Sequence, residues 1–415
     1  MSILSTIVNV PGSKSYTNRA LIASALANGR SKIINPSDSH DTLLLISALR
    51  KLGVEIEVGS SCLEIFGLGG NFNPLQAKIN IGLAGTALRF LLPLCSIASG
   101  VEAELNGSER MKQRPIEPLV TALRKLGAEI RCLEQEDAIP LEVKGTELRS
   151  GNNISIDAGV SSQFASGLLL SAPYFSDGLQ MTLMGEIVSL PYLEMTMQVM
   201  NSFGVEVDFQ QERLVVPKAK YRASEFVVES DASSATYIFS VAALTQKELT
   251  VRGLKLSSLQ ADIGFLAALK RMGCHVEQNT DGVSVLGPHS LRAIDIDMTD
   301  MPDSAPSLAV LASFANGTSH LTGLSTLRDK ESDRIAALQA GFESLGIEVK
   351  TGKDSITITG GVHREAKIDP KADHRIAMAF ATALPRVPGM QIESKHVVDK
   401  SFPKFWEVME GLGIK

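Results

Sequence analysis

An apolar stretch that ends in a hydrophobic residue and a glycine, and turns at once into extended residues, occurs six times in this chain. The copies are Leu52-Gly53-Val54-Glu55-Ile56, Leu126-Gly127-Ala128-Glu129-Ile130, Phe203-Gly204-Val205-Glu206-Val207, Met272-Gly273-Cys274-His275-Val276, Leu345-Gly346-Ile347-Glu348-Val349 and Leu412-Gly413-Ile414-Lys415. Glycine stops a helix at little cost because it enters the left-handed conformation with no Cβ to clash, so one copy would say little. The glycines are spaced by 74, 77, 69, 73 and 67 residues. Spacing that regular over a whole chain requires a repeated structural unit of about 70 residues, and the chain is expected to fold as six similar modules.

A second signal keeps the same period. Each module opens with a Gly-, Ser- or Asp-rich helix start: Gly12-Ser13-Lys14-Ser15, Gly82-Leu83-Ala84-Gly85-Thr86, Val160-Ser161-Ser162-Gln163, Ser230-Asp231-Ala232-Ser233-Ser234, Pro302-Asp303-Ser304 and Asp373-His374-Arg375. With Ser15, Thr86, Ser162, Ser233, Ser304 and His374 as markers, the steps are 71, 76, 71, 71 and 70 residues. Each module then reads as a first helix, a strand (32–34, 103–105, 180–183, 248–251, 319–321 and 391–393), a polar loop, a second helix stopped by its glycine, and further strands. Strands alternating with two helices define an α/β repeat. Three modules per domain would divide the chain between residues 222 and 230, a length of 415 residues being long for one core.

Composition excludes several classes of function. With 40 Lys+Arg against 46 Asp+Glu the net charge is −6, so no global basic field recruits nucleic acid or an anionic membrane, and an anionic ligand needs a local cationic site. The first thirteen residues contain no Lys or Arg ahead of an apolar stretch, so no secretory signal is expected. No apolar run approaches the roughly 20 residues needed to cross a bilayer. The cysteines Cys62, Cys95, Cys132 and Cys274 stand singly, which favours reduced packing thiols in a cytosol over disulfides or a metal site.

Helix starts present free backbone N–H groups and the positive end of the helix dipole, a natural seat for anions. Taken singly, Ser, Asp and Gly there are explained as N-caps. Their company argues for more. Lys14 and Arg19 flank the first start, Arg375 occupies the sixth, and the loops before the second helices add Arg110, Lys112, Arg114, Arg328, Lys330, Arg334 and Lys400. If the starts share one face of each domain, two such faces opposed would form a cleft for phosphates and carboxylates. Gly12-Ser13-Lys14-Ser15 is not a nucleotide P-loop, because Ser13 stands where a glycine must precede the lysine. Asp303 and Glu331 are the candidate acid and base, against an N-cap for Asp303 and an exposed salt bridge for Glu331. His374, between Asp373 and Arg375, is a proton carrier or a structural donor.

Together the motifs Gly12-Ser-Lys-Ser-x-x-Asn-Arg19, Ala84-Gly-Thr86, Arg110-Met-Lys-Gln-Arg-Pro115, Ser161-Ser-Gln163, Asp231-Ala-Ser-Ser234, Asp329-Lys-Glu-Ser-Asp-Arg334, Asp373-His-Arg375 and Lys400-x-Phe-Pro403 resemble the EPSP synthase family of enolpyruvyl transferases, in order and over nearly the whole chain. The resemblance implies a two-domain inside-out α/β barrel of six βαβαββ repeats, three per domain. It places residues 14–222 in one domain, 1–13 with 223–415 in the other, and the active site in the cleft between them. It implies transfer of the enolpyruvyl group of phosphoenolpyruvate to the 5-hydroxyl of shikimate 3-phosphate through a tetrahedral intermediate. Neither metal nor organic cofactor is implied, nor nucleic acid or membrane; the partners are small anionic substrates, and a cytoplasmic monomer is expected.

Carried onto matching positions, Lys14, Ser15, Arg19, Ser161, Ser162, Gln163, Ser189, Tyr192, Asp303, Thr326 and Lys330 would bind shikimate 3-phosphate. Lys14, Gly85, Arg114, Gln163, Arg334, His374, Arg375 and Lys400 would bind phosphoenolpyruvate. Asp303, Glu331 and Lys14 would be catalytic. Three positions depart from the usual family pattern: Leu83 and Thr326 where many members have Asn, and Phe90 where many have Pro. The sister transferase acting on UDP-N-acetylglucosamine is disfavoured by Ser15 after Lys14 and by the absence of Cys from residues 106–114. A noncatalytic repeat scaffold would have no use for Asp303, Glu331 and the cations together.

Overall fold

Beyond the polar starts of some, such as Lys14 to Arg19 and His374-Arg375, the first helices of the modules are apolar around their circumference, and such helices must be buried. In the computed structural model, which describes residues 6–149, 153–159, 161–185 and 187–414, this is what is found. Val160 of the third helix start and Lys415 of the last helix stop lie outside the described residues. In Gly85–Ile97 only Thr86 and Ile97 escape full burial, and in Ala232–Thr245 only Ser233 and Thr245. The other first helices are Lys14–Leu26, Ser162–Ser171, Ala305–Ala312 and His374–Ala381. Second helices, His40–Lys51, Glu117–Lys125, Leu190–Ser202, Phe265–Met272, Arg334–Leu345 and Phe405–Gly411, are amphipathic instead. Glu117–Lys125, for example, buries Leu119, Val120, Ala122 and Leu123 on one face. The stop glycines Gly53, Gly127, Gly204, Gly273, Gly346 and Gly413 all take the left-handed conformation, with φ from +78° to +105°.

Each module contributes strands to one small sheet. Leu75–Asn80 lies parallel to Val101–Asn106, the connection being a helix, and Leu141–Lys144 and Glu129–Cys132 follow antiparallel. The same order of first, second, fourth and third strand recurs in four other sheets; the sixth consists of Lys367–Ile368 and Gln391–Ile392. The strands expected after the first helices fall within the second strands of these sheets, except that the last ends at Ile392 rather than Glu393.

Two sheets obtain their first strand from another module. Thr6–Val8 precedes the first module, yet pairs in parallel with Glu248–Arg252 of the fourth, Ile7 opposite Thr250. Glu225–Val227 precedes the fourth module, yet pairs with Asn28–Ile34 of the first, Phe226 opposite Ile33. This exchange divides the chain into an N-terminal unit, residues 14–37 and 41–228, and a C-terminal unit formed by the residues before 14, 38–40 and those after 228. The second crossing therefore lies at Val228/Glu229 and not at 222/223, because Glu225–Val227 still belongs to the first sheet.

Within the N-terminal unit Lys14–Leu26, Gly85–Ile97 and Ser162–Ser171 pack on one another, with sheet strands on their outer sides. In the C-terminal unit Ala305–Ala312 packs against both Ala232–Thr245 and His374–Ala381. Helices inside and sheets outside make each unit an inside-out α/β assembly. The four cysteines are free thiols.

Candidate active site

The module architecture brings two kinds of position together: the start of the first helix and the loop before the second. In the first module Lys14 Nζ contacts Asp41 Oδ2 at 2.9 Å. In the second, a Cβ added to Gly85 would stand 2.5 Å from Arg114 Nη1 and 2.6 Å from Arg89 Nη1, so only glycine admits both guanidinium groups to this helix start. In the fourth, Ser233 Oγ donates to Asp262 Oδ2. In the fifth, Arg334 Nη1 donates to Asp303 Oδ1 at 3.0 Å.

The N-terminal unit gathers Lys14, Ser15, Arg19, Gly85, Arg114, Ser161, Gln163 and Tyr192 into local networks. Arg19 is 1% exposed; its Nε donates to Thr196 Oγ1 at 2.7 Å, Nη1 to Ser15 O at 2.9 Å and Nη2 to Tyr192 O at 3.1 Å. Burial pulls its pKa down to about 10, and its guanidinium lies over Phe90 at 5.3 Å and Tyr192 at 5.8 Å. Phe90, a departure from the usual pattern, thus serves as the floor beneath Arg19. Arg89 Nη1 reaches Gln163 Oε1 at 3.3 Å and Nη2 the carbonyl of Pro115 at 2.7 Å, tying the third helix start to the loop that carries Arg114. Ser161 caps Ser162–Ser171 by accepting from Gln163 N at 3.3 Å. Ser162 is buried in that helix's first turn, and Ser189 is buried in the left-handed conformation at φ +60° just ahead of Leu190–Ser202.

The C-terminal unit holds the denser cluster. Arg334, 1% exposed, reaches three carboxylates: Asp373 Oδ2 at 2.8 Å, Glu331 Oε2 at 2.7 Å and Asp303 Oδ1 at 3.0 Å. Glu331 also meets Lys400 at 2.9 Å, and Asp303 meets Arg375 at 2.9 Å and Lys330 at 3.6 Å. Asp303 is no N-cap, since the helix starts at Met301 and Ser304 have no side-chain cap bond. Glu331 is no exposed pair, its side chain being 8% exposed. Burial pushes the Asp303 carboxyl up, but the charges of Arg375, Lys330 and Arg334 outweigh it and hold the group well below the usual carboxylate range. Around Arg334, burial opposes the charge and Asp373, Glu331 and Asp303 overcome it, so the guanidinium stays ionised. Asp373 caps His374–Ala381 by accepting from Arg375 N at 2.9 Å, and His374, 1% exposed, has Nδ1 3.7 Å from Asp373 Oδ1. Thr326 is not bonded into this cluster; its hydroxyl has no hydrogen-bond partner among the described residues.

Three members escaped the sequence reading: Asp41, Arg89 and Asp262. A signal for two of them existed. Asp41, Arg114, Ser189, Asp262, Glu331 and Lys400 follow one another at 73, 75, 73, 69 and 69 residues, Asp41 in the first turn of its second helix and the others ahead of theirs. Asp41 and Asp262 carry the sign opposite to the cations that mark the equivalent loops of other modules. For Arg89, inside an apolar helix, no sequence signal set it apart from a core-flanking residue.

The comparisons with known proteins agree with one another. A model of the family described as EPSP synthase (3-phosphoshikimate 1-carboxyvinyltransferase) matches residues 1–409. The 3-phosphoshikimate 1-carboxyvinyltransferase of Syntrophobacter fumaroxidans is 40% identical over 411 residues, 98% of this chain and 96% of that protein. That of Methanosphaerula palustris is 42% identical over 409 residues, covering 97% and 96%. Among solved structures, an EPSP synthase from Acinetobacter baumannii matches with a TM-score of 0.84 at 26% identity, covering 99% of this chain and 96% of that one. An enolpyruvyl transferase from Streptomyces tendae shares the fold, with a TM-score of 0.78 at 18% identity over 99% and 95%.

Proposed function

This chain belongs to the EPSP synthase family, and from that premise we propose how its charged clusters carry out the family's reaction. The reaction transfers the enolpyruvyl group of phosphoenolpyruvate to the 5-hydroxyl of shikimate 3-phosphate and releases phosphate, a step of the shikimate pathway. Ser15, Arg19, Ser161, Ser162, Gln163, Ser189, Tyr192 and Thr326 bind shikimate 3-phosphate, with Lys14, Asp303 and Lys330 at its reacting side. Arg19 acts chiefly by holding Ser15 and Tyr192, to which it is bonded. Lys14, Gly85, Arg114, Gln163, Arg334, His374, Arg375 and Lys400 bind phosphoenolpyruvate, whose carboxylate and phosphate suit the planar fork of arginine.

In the addition step the 5-oxygen bonds to C2 of phosphoenolpyruvate, its proton passes to Asp303, and Glu331 delivers a proton to the methylene carbon. In the elimination step that carbon returns a proton to Glu331 as the bond between C2 and the phosphate oxygen breaks, and the proton held by Asp303 passes to the departing phosphate. This leaves the enol ether, inorganic phosphate and both carboxyl groups in their starting states. Asp303 is ionised, as an acceptor must be, but the cations that keep it so also make it a weak base. An anion bound at Arg375 and Lys330 takes up part of their charge, and the basicity of Asp303 rises when substrate is present. Lys14 exchanges protons or holds charge at the same centre. Only small anions are needed as partners, and the same reading has the enzyme act as a monomer in the cytoplasm.

The observation that carries this reading is the placement of Asp303 and Glu331 on opposite arms of the buried Arg334, each also touching a second cation. The test is release of inorganic phosphate from phosphoenolpyruvate with shikimate 3-phosphate or UDP-N-acetylglucosamine as acceptor. Release is expected with the first alone. Release with the second alone, or with neither, would overturn the proposal.

A further inference from the structure

Asp262 has the properties of a site residue without a role in the reaction as set out above. It stands in the loop before the fourth module's second helix, the position that supplies Arg114, Ser189, Glu331 and Lys400 in other modules. The ordinary explanation of an Asp just ahead of a helix is capping. Here neither Gln260 ahead of the short helix Ala261–Gly264 nor Gly264 ahead of Phe265–Met272 has a side-chain cap bond. The carboxylate points instead at the fourth module's first helix, where its Oδ2 accepts from Ser233 Oγ. Asp262 is 4% exposed, and its other oxygen has no hydrogen-bond partner among the described residues. Burial, the largest influence, pushes the group up to about 6 against the pull of Arg375. Keeping such a carboxylate costs stability, and a cost of this kind is expected to serve a site.

The next link is Arg375. Its Nη2 donates to Asp303 Oδ2 at 2.9 Å and lies 3.5 Å from Ser233 Oγ. Because the Ser233 proton is committed to Asp262, the serine oxygen presents lone pairs, and no proton, to the guanidinium. Asp303 and the Asp262–Ser233 pair thus fix Arg375 from two directions. Without the Ser233 contact the guanidinium would swing further onto Asp303, whose carboxylate and carbonyl it already meets at 2.9 and 3.4 Å. That swing would consume the donors needed for an anionic ligand.

We propose that Asp262 is a positioning residue that acts through the Ser233 hydroxyl to hold the Arg375 guanidinium in the orientation that receives the anionic group of phosphoenolpyruvate. The inference rests on the assignment of Arg375 to phosphoenolpyruvate, and predicts an effect on that substrate alone. Full-length Asp262→Asn, Ser233→Ala and Arg375→Lys enzymes, and the Asp262→Asn/Arg375→Lys pair, are compared by steady-state kinetics with each substrate varied, alongside melting temperature. Asp262→Asn and Ser233→Ala are each expected to raise KM for phosphoenolpyruvate about tenfold, leaving KM for shikimate 3-phosphate within about twofold and kcat within about threefold. The melting temperature should stay level or rise, since the isosteric amide removes a buried charge. In the Arg375→Lys background the Asp262→Asn penalty should largely vanish, as it must if Asp262 works through that side chain.

If Arg375→Lys raises KM for phosphoenolpyruvate while Asp262→Asn and Ser233→Ala leave it unchanged, the positioning role is wrong and the ligand assignment stands. Full additivity of the two penalties would also reject the role. If Arg375→Lys has no effect on phosphoenolpyruvate, the ligand assignment fails and takes this inference with it.

Discussion

Replacing Gly85 by alanine separates binding from stability. The new Cβ would lie 2.5 Å from Arg114 Nη1, 2.9 Å from Arg114 Cζ and 2.6 Å from Arg89 Nη1, where ordinary contacts begin near 3.4 Å. The obstructing atoms are ends of long side chains, so the backbone holds and the guanidinium of Arg114 must retreat by about 0.9 Å. A displacement near 1 Å in a group that positions substrate costs up to about 10²-fold. KM for phosphoenolpyruvate should rise about 10- to 100-fold, corresponding to about 1.4–2.8 kcal/mol. The backbone loses nothing: Gly85 is the first residue of Gly85–Ile97, its φ is not positive, and alanine favours the helix by up to about 1 kcal/mol, which offsets the weakening of the 3.3 Å contact from the displaced Arg89 Nη1 to Gln163. The assay is steady-state phosphate release with phosphoenolpyruvate varied, paired with thermal unfolding. An unchanged KM, or a melting temperature lowered by several degrees, would refute the reasoning.

Lys14→Met should reduce kcat/KM by about 10²-fold or more and also lower the melting temperature, because Asp41, 2% exposed, loses its ion pair. Adding Asp41→Asn should restore the melting temperature without the activity, and restored turnover would exclude Lys14 from the chemistry. Leu83→Asn should lower KM for phosphoenolpyruvate by at most about tenfold, since Arg114 already reaches the Leu83 carbonyl at 3.5 Å; a gain of several orders of magnitude would mean that the cations are not the main ligands. His363 stacks on Phe314 at 3.9 Å and bonds Ser313 Oγ at 2.8 Å; burial and then Arg386 depress its pKa to about 4. Between that value and the unfolded value of about 6.5 the unfolded chain binds more protons, so stability is complete above pH ~6.5 and lost as pH falls toward 4. After discounting for partial exposure the loss is on the order of 1–2 kcal/mol; urea titrations at pH 7 and pH 5 should show a smaller drop in His363→Gln than in the native chain, and equal drops would reject this origin.

What a periodic sequence determines is whatever repeats. The stop glycines, the starts of the first helices and the strands that follow them were legible because each depends on residues within a few positions: a left-handed φ at glycine, a cap, an apolar run. The cations were legible because they stand out against an acidic background at corresponding places, and Asp303 and Glu331 because each lies beside those cations or a helix start. Periodicity is blind, however, to which copy of an element fills which place. Thr6–Val8 and Glu225–Val227 are three-residue strands with similar neighbours, and nothing local says that each completes the sheet of the other's module. That pairing joins residues more than 190 positions apart, such as Phe226 and Ile33, and it sets the crossing after Val228.

Side-chain partnership lies equally beyond the sequence. Asp231, Asp262 and Asp303 all stand near helix starts, but the first caps Ser234 N, the second bonds Ser233 and the third faces Arg334, Arg375 and Lys330. Which of these an aspartate does depends on what the neighbouring modules bring within about 3 Å, the reach of a hydrogen bond. Only the packed tertiary structure, by burying Arg334 among Asp303, Glu331 and Asp373, decides which acids cap a helix, which pair with cations and, for Asp373, which do both.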